Sequence, residues 1–352
     1  MAASDVYKSQ MGRDISWGLY IANFTFLVGV AASGVMVVLP YYLHNFKVFA
    51  RITIFGEFLA VAAVTMAMLF IFVDLGQPAR VFNIILYPSP HSVLVCELIL
   101  LSLYLILNII IGWRTLEAEH QEEAPPIWLK PLVFISIPLA FSIHTVTAFI
   151  FSGLGARPFW LTALLAPRFL ASAFASGPAI LIIMCIIMRR FAKFDIGQEA
   201  TQKIALIITY ALSIHIFFFL VEIFTVFYGG IPEHVHHFEY LLGRGGQSIL
   251  TISAWISLVL IWIAFLLMIN PQTRKTEGTL IYALLAVIIA VWIEKGLSFI
   301  VPGFIPSPLG EIARYSPTLA EIVITIGVWS VGILILTVLY KVTVSIKKGM
   351  AS

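Results

Sequence analysis

The sequence predicts an all-α polytopic membrane protein: nine transmembrane helices, ten if a short one escapes the count, in two four-helix bundles followed by a terminal helix. Three observations predict it. Of 352 residues, 61% are apolar and 11% charged, against about 45–50% and about 25% in an ordinary globular domain. The apolar residues gather in nine stretches, each near the roughly 20 residues that cross a hydrocarbon core. Short connections rich in Pro and Gly separate them. A net charge of +3, with Lys and Arg scattered, offers no nucleic-acid surface.

In chain order the expected spans are 15–43, 50–74, 91–113, 128–152, 169–190, 202–228, 246–269, 279–301 and 317–341. The polar segment Met1–Asp14 leads into a full-length apolar stretch, without the short apolar core and small-residue cleavage site of a signal peptide, so the first span is expected to stay. Pro78, Pro88 and Pro90 follow the second span, and Pro125 with Pro126 precedes the fourth. Pro158 and Pro167 separate the fourth from the fifth, Gly229, Gly230 and Pro232 end the sixth, and Pro302, Pro306 and Pro308 follow the eighth. The longest non-spanning pieces are 114–127, acidic with Glu117, Glu119, Glu122 and Glu123, and 229–245, rich in His and Gly. No linker separates domains. The natural units are a first bundle at 1–152, a second at 153–304, and a terminal helix and tail at 305–352.

Basic residues set the orientation, because Lys and Arg accumulate on the cytoplasmic side. With the N-terminus outside, thirteen Lys and Arg fall on the inner side and seven on the outer, with Lys295 inside a span. The expected topology in the cell membrane is therefore N-terminus out and C-terminus in. The outer loops, 75–90, 153–168, 229–245 and 302–316, hold most of the Pro, Gly and aromatic residues and read as a docking face.

Cys96 and Cys185 sit in apolar runs, and no CxxC, CxxCH or spaced Cys/His set occurs. Neither an iron–sulfur cluster nor a c-type haem can be ligated on such a pattern. An electron carrier other than haem b or a quinone would belong to a partner.

An ionisable side chain at membrane depth costs about 2.5–3.5 kcal/mol on insertion scales, so those present face the bundle interior. Here they are Glu57, Glu97, His144, His215, Glu222, Glu294, Lys295 and Glu321. A quinone needs a flat apolar slot, a donor at each carbonyl and a group that takes a proton on oxidation, and His144 fits that role; a plain hydrogen bond to a neighbouring helix is the alternative. Asn23, beside Trp17 and Tyr20, is a second carbonyl partner or an interhelical amide bond. His144 and His215 could instead be axial ligands of a b haem, although the paired-His pattern on each of two helices is missing. Glu222 and Glu294-Lys295 read as proton relays or a structural ion pair, with Lys295 expected to meet a carboxylate of another span. Glu57 and Glu97 read as a proton route to the inner side or as interhelical bonds. The loop Glu233-His-Val-His-His237-Phe-Glu239 holds metal-ligand types without a fixed partner set and reads as solvated.

Several stretches together resemble a known family. They are Trp17-Gly-Leu-Tyr-Ile-Ala-Asn-Phe-Thr-Phe-Leu-Val-Gly-Val-Ala-Ala-Ser-Gly34, Gly56-Glu57, Asp74-Leu-Gly-Gln-Pro78, Ser142-Ile-His-Thr145 and Arg168-Phe-Leu-Ala-Ser-Ala-Phe-Ala-Ser-Gly177. The chain resembles the NrfD/polysulfide reductase membrane-subunit family, and within it the branch that serves the DsrMKJOP complex. The resemblance implies a subunit with no metal or haem of its own that binds menaquinone on the extracytoplasmic side. Its electrons would pass to or from a ferredoxin-like iron–sulfur subunit docked there, beside other redox subunits including a haem b membrane subunit, in sulfite or sulfate respiration. On this reading the quinone set is His144, Asn23, Trp17, Tyr20, Asp74 and Ser176, and the proton-transfer set is Glu57, Glu97, Glu222, Glu294 and Lys295. The larger branch of the family is expected to have ten spans. The rival is an ion-coupled secondary transporter, against which stands the lack of a strongly broken helix pair.

Overall fold

A computed structural model describes residues 15–44, 47–243, 249–305 and 315–349. Among these residues all regular structure is helical, and nine helices are long and apolar enough to cross a membrane. Helices are the expected solution, since every backbone group must find its partner within the chain where water is absent. We number them α1 (Leu19–Tyr41), α2 (Thr53–Asp74), α3 (Val93–His120), α4 (Leu129–Ser152), α5 (Leu165–Ala192), α6 (Gln198–Gly229), α7 (Leu250–Ile269), α8 (Glu277–Phe304) and α9 (Leu319–Lys347). The face of the bundle that carries residue 15 and the α2–α3, α4–α5, α6–α7 and α8–α9 connections is the N-face; the opposite end is the C-face.

Several expected boundaries move. α3 runs through the acidic stretch to His120, because Arg114 pairs with Glu117 one turn on at 2.6 Å and Glu119 receives Lys347 at 2.7 Å. α5 begins at Leu165, before Pro167, since a proline in the first turn gives up no helical hydrogen bond. Arg168, expected in a loop, is therefore inside the helix. The His-rich stretch is mostly a helix, Pro232–Leu242, and its His237 is buried, its Nδ1 donating to the Pro302 carbonyl at 2.8 Å. The expectation of a solvated loop is wrong there, because that helix packs under the Pro302–Phe304 turn at the end of α8. α6 ends at Gly230, whose φ of +61° is a left-handed cap that suits glycine. The expectations placed on Met1–Asp14, on Arg244 and on residues 306–314 fall outside the described residues.

α1 is the axis of the bundle. It packs against α2, α4, α5, α8 and α9, and 89% of its most apolar window is buried, against 22% for α9. The remaining faces of α3, α6, α7 and α9 expose Leu, Ile and Phe outward, as a lipid-facing surface requires.

Two spans are locally interrupted, although each runs on as one span. α1 loses its regular bonding at Ser33-Gly34, where Ser33 Oγ donates to the Val30 carbonyl at 2.6 Å and Tyr104 of α3 donates to that of Ala31 at 3.1 Å. The interruption sits against Gly177 of α5, where any Cβ would overlap the Ser33 side chain. α8 stops being regular at Gly296 and continues as the short turns Leu297–Ile300 and Pro302–Phe304. Lys295 is its last regular residue.

Candidate functional site

Two features stand out, an apolar cavity in the first half of the chain and a buried charge network in the second. The cavity, about 520 Å³, opens among α1–α4 near the N-face. That is within the roughly 300–1,000 Å³ of small-molecule sites. Its wall is mostly Leu, Ile, Phe and Met, with Trp17, Thr65, Asp74 and Glu97 as the polar contributors. Glu97, 2% exposed, accepts a 2.5 Å hydrogen bond from Thr147 of α4 on one oxygen, while the other makes none. Trp17 is stacked on Trp160 at 5.8 Å and set edge-on to Phe151 and Phe304, so its ring is fixed where it meets the cavity. A second hollow of about 500 Å³ beside Leu242, Thr251 and Trp255 has no titratable group on its wall.

The charge network joins four helices. Arg168 of α5 pairs with Glu222 of α6 and, at 2.5 Å, with Glu294 of α8. His215 Nε2 of α6 reaches the other oxygen of Glu294 at 2.7 Å. One residue on, Lys295 Nζ lies 2.6 Å from His144 Nε2 of α4 and donates to the Phe169 carbonyl at 2.8 Å. His144 Nε2 is itself 2.9 Å from that carbonyl, and the imidazole is stacked on the Phe169 ring. Gly29 of α1 closes the site: a Cβ there would lie 3.1 Å from Lys295 Nζ and 3.3 Å from the His144 ring.

These contacts sort the expected residues. Trp17 and Asp74 line the cavity, and Glu97, expected only as a proton carrier, lines it with them. His144 does not line it; it is committed to Lys295 and Phe169. The carboxylate expected for Lys295 on another span is replaced by that imidazole. Asn23 is committed elsewhere, its Oδ1 accepting from both Trp292 and Trp329 indoles at 3.0 Å and its amide donating to the Leu19 carbonyl. Tyr20 packs near Phe70, and Ser176 is buried on α5 beside the α1 interruption. Glu57 is buried near the C-face with one oxygen unbonded. Glu222 and Glu294 are joined by Arg168, which the position of Pro167 had suggested for a loop, and Lys295 shares a small cavity wall with Arg168 and Glu294. As haem ligands His144 and His215 fit poorly, since both Nε2 atoms are bonded and the cavity beside His215 and Lys295 holds only about 10 Å³. No group of three or more metal-ligating side chains occurs among the described residues.

Outside the membrane-spanning helices, burial holds His237 below the ordinary histidine range. Burial also raises the Tyr315 phenol, helped by Glu321 beside it. Tyr315 accepts the first α1 amide, of Leu19, at 2.8 Å and so caps that helix from the far end of the chain.

The sequence is similar along nearly its whole length to membrane subunits of redox enzymes. It is 26% identical to a protein of Halobacterium salinarum named as a membrane subunit of dimethyl sulfoxide reductase, over 93% of this chain and 83% of that one. It is 25% identical to a selenate reductase subunit of Mesobacillus selenatarsenatis, over 94% and 85%. An Hdr-like menaquinol oxidoreductase integral membrane subunit of Archaeoglobus fulgidus is 24% identical over 93% and 84%. Residues 8–305 match the family model described as polysulphide reductase, NrfD, and α9 lies beyond the matched stretch. With so much of its length matched, the chain belongs to the NrfD polysulphide reductase family.

Proposed function

We propose that this chain is the quinone-binding membrane subunit of a redox complex, with the quinone ring in the cavity of α1–α4. The observation that carries the reading is the cavity itself: an apolar slot of about 520 Å³ whose wall includes a fixed indole and two carboxyl side chains, Asp74 and Glu97. It draws support from the relatives, one of them named for menaquinol and two for reductases. A quinol supplies two electrons and two protons on oxidation. The chain's own part is to hold the ring against Trp17, exclude water with Leu and Phe, and take one of the two protons at the unbonded oxygen of Glu97, the other leaving to the N-face where the cavity opens. With its N-face outside, as the basic residues suggest, electrons pass to a ferredoxin-like iron–sulfur partner on that face, and a haem b subunit belongs to the same assembly. Menaquinone as the quinone and sulfite or sulfate respiration as the setting follow the resemblance to the DsrMKJOP branch. Glu57, near the C-face, is the proposed inner proton contact.

The test fills the cavity. Leu98→Trp, on the cavity wall, is expected to lower the affinity of the assembled complex for a menaquinol analogue by about tenfold or more, equivalent to about 1.4 kcal/mol. Leu98→Ala should change it little. Glu97→Gln should retain binding and slow electron transfer. Wild-type affinity in Leu98→Trp overturns the reading. The two interrupted helices favour a second reading, an ion-coupled transporter, in which the charge network is the ion site; solute uptake by vesicles holding the chain alone would select it.

A further inference from the structure

We propose that Lys295, His144 and His215 share one exchangeable proton, held beside the Arg168–Glu222–Glu294 cluster in a site separate from the cavity. The argument is one of charge balance and geometry. Arg168 is a fixed cation and is paired with two carboxylates, leaving one negative charge uncompensated in a region where Glu222 is 6% exposed and His144 and Lys295 are 3% or less. Neutrality therefore needs one further proton, and three nitrogen bases are available for it.

The groups facing this proton come from every packed element. α4 brings His144, α5 Arg168, α6 His215 and Glu222, and α8 Glu294 and Lys295. α1 presents Gly29, and α7 brings Ser257 to the wall of a cavity that Glu294 also lines. The next acid is Glu97, held by Thr147 on the same buried face of α4 as His144, three residues or about 4.5 Å of rise away.

Between Lys295 and His144 the proton has two homes without any atom moving. If the lysine is charged, it donates to His144 Nε2 and to the Phe169 carbonyl. If the lysine is neutral, its lone pair faces Nε2, and that nitrogen, now protonated, has the same carbonyl 2.9 Å away. One carbonyl serves both states. In each state the His144 Nδ1–H donates to no partner, the ring being neutral in the first and doubly protonated in the second, so neither is favoured by a saturated ring.

The onward connection is water-sized. Three small cavities, of about 10, 10 and 40 Å³, all have Glu294 in their walls. A cavity of roughly 10–15 Å³ is the least that holds one water. The first links Lys295, Ser172 and His215, the second lies below His215 toward Trp262, and the third leads past Arg168 to Phe159 and Phe238 under the N-face helix Pro232–Leu242. Glu294 is thus a branch point between the Lys295–His144 pair and the N-face.

The experiment is ¹⁵N solid-state NMR of the full chain, labelled at histidine, in lipid bilayers, with His144 assigned by its loss in His144→Gln. In the wild type His144 should show a neutral population unprotonated at Nε2 and a doubly protonated one, the latter falling on the order of tenfold per pH unit once rising pH removes the shared proton. In Lys295→Met only the Nε2-protonated form should remain, donating to Phe169 at all pH values, while the His237 signal, held by Pro302, stays as in the wild type and reports an intact fold. One fixed tautomer in the wild type at every pH, or unchanged populations in Lys295→Met, overturns the proposal. No quinone enters this measurement, so its failure and the failure of Leu98→Trp are distinct results.

Discussion

Replacing Asn23 by leucine keeps the volume of the side chain and removes the acceptor that two indoles share. The Asn23 carbonyl oxygen has two lone pairs, and Trp292 of α8 and Trp329 of α9 use both at 3.0 Å. Both tryptophans are half-buried at the lipid-facing edge of the bundle, so no water stands in for the lost acceptor. If each stranded N–H costs what a buried unsatisfied donor usually does, about 1–3 kcal/mol, the pair loses about 2–6 kcal/mol. Interhelical bonds in membrane proteins average only about 0.6 kcal/mol, because the unfolded chain finds partners too, and this sets a floor of about 1 kcal/mol. Reversible unfolding of the purified chain in mixed micelles should therefore show Asn23→Leu less stable by at least about 1 kcal/mol. In Trp329→Phe the same substitution should cost less, by about half, since one donor is already gone. A loss under about 0.5 kcal/mol, or strict additivity with Trp329→Phe, would refute the clamp. Quinol affinity should be unchanged in Asn23→Leu; a selective drop in affinity at wild-type stability would return Asn23 to the quinone site.

Arg168→Met strips the guanidinium from Glu222 and Glu294 and should destabilise the chain by about 3–5 kcal/mol in the same assay, the usual cost of leaving a buried charge uncompensated, with partial recovery in Arg168→Met/Glu222→Gln. His237 is held below its ordinary value of 6.5 by burial, so the fold favours its neutral form: the stability it lends is complete above that value and is lost as pH falls through the lower folded one. Hydrogen exchange of Pro232–Leu242 and Pro302–Phe304 should accelerate over that acidic range in the wild type and lose this dependence in His237→Gln; equal pH dependence in both would refute it.

The spans were legible because twenty apolar residues in a row admit few structures, and α2, α4 and α7 begin and end within a few residues of their expected bounds. Charged ends were harder. The acidic run after residue 113 looks like a connection in composition, yet its pairs at helical spacing and with Lys347 extend α3 by two turns. Arg168 illustrates the other failure: Pro167 reads as a breaker unless the helix has just begun, and this one residue decides whether the guanidinium is in a loop or in the core. Of the site residues, Trp17 and Asp74 could be placed together from their positions near the same membrane face. The His144–Lys295 contact could not, because residues 151 apart on different helices leave no periodicity to read. Asn23 was recognisable as a buried amide; that two tryptophans would compete for its oxygen depends on packing alone.

The centrality of α1 has a consequence for biogenesis. Of the nine described spans, α1 is made before the others and has the largest buried share, and its neighbours arrive in sequence: α2 and α4 early, α5 midway, α8 and α9 last. Until residue 329 has been inserted, Asn23 lacks one of its two indoles, and until residue 315 is made the Leu19 amide has no phenol to accept it. Throughout synthesis, then, the nascent chain presents a lipid bilayer or an insertion factor with a segment built to be wrapped by protein. Its residence there ends only when α9 closes over it, so truncations before residue 315 should be read out by quality control as defects of α1.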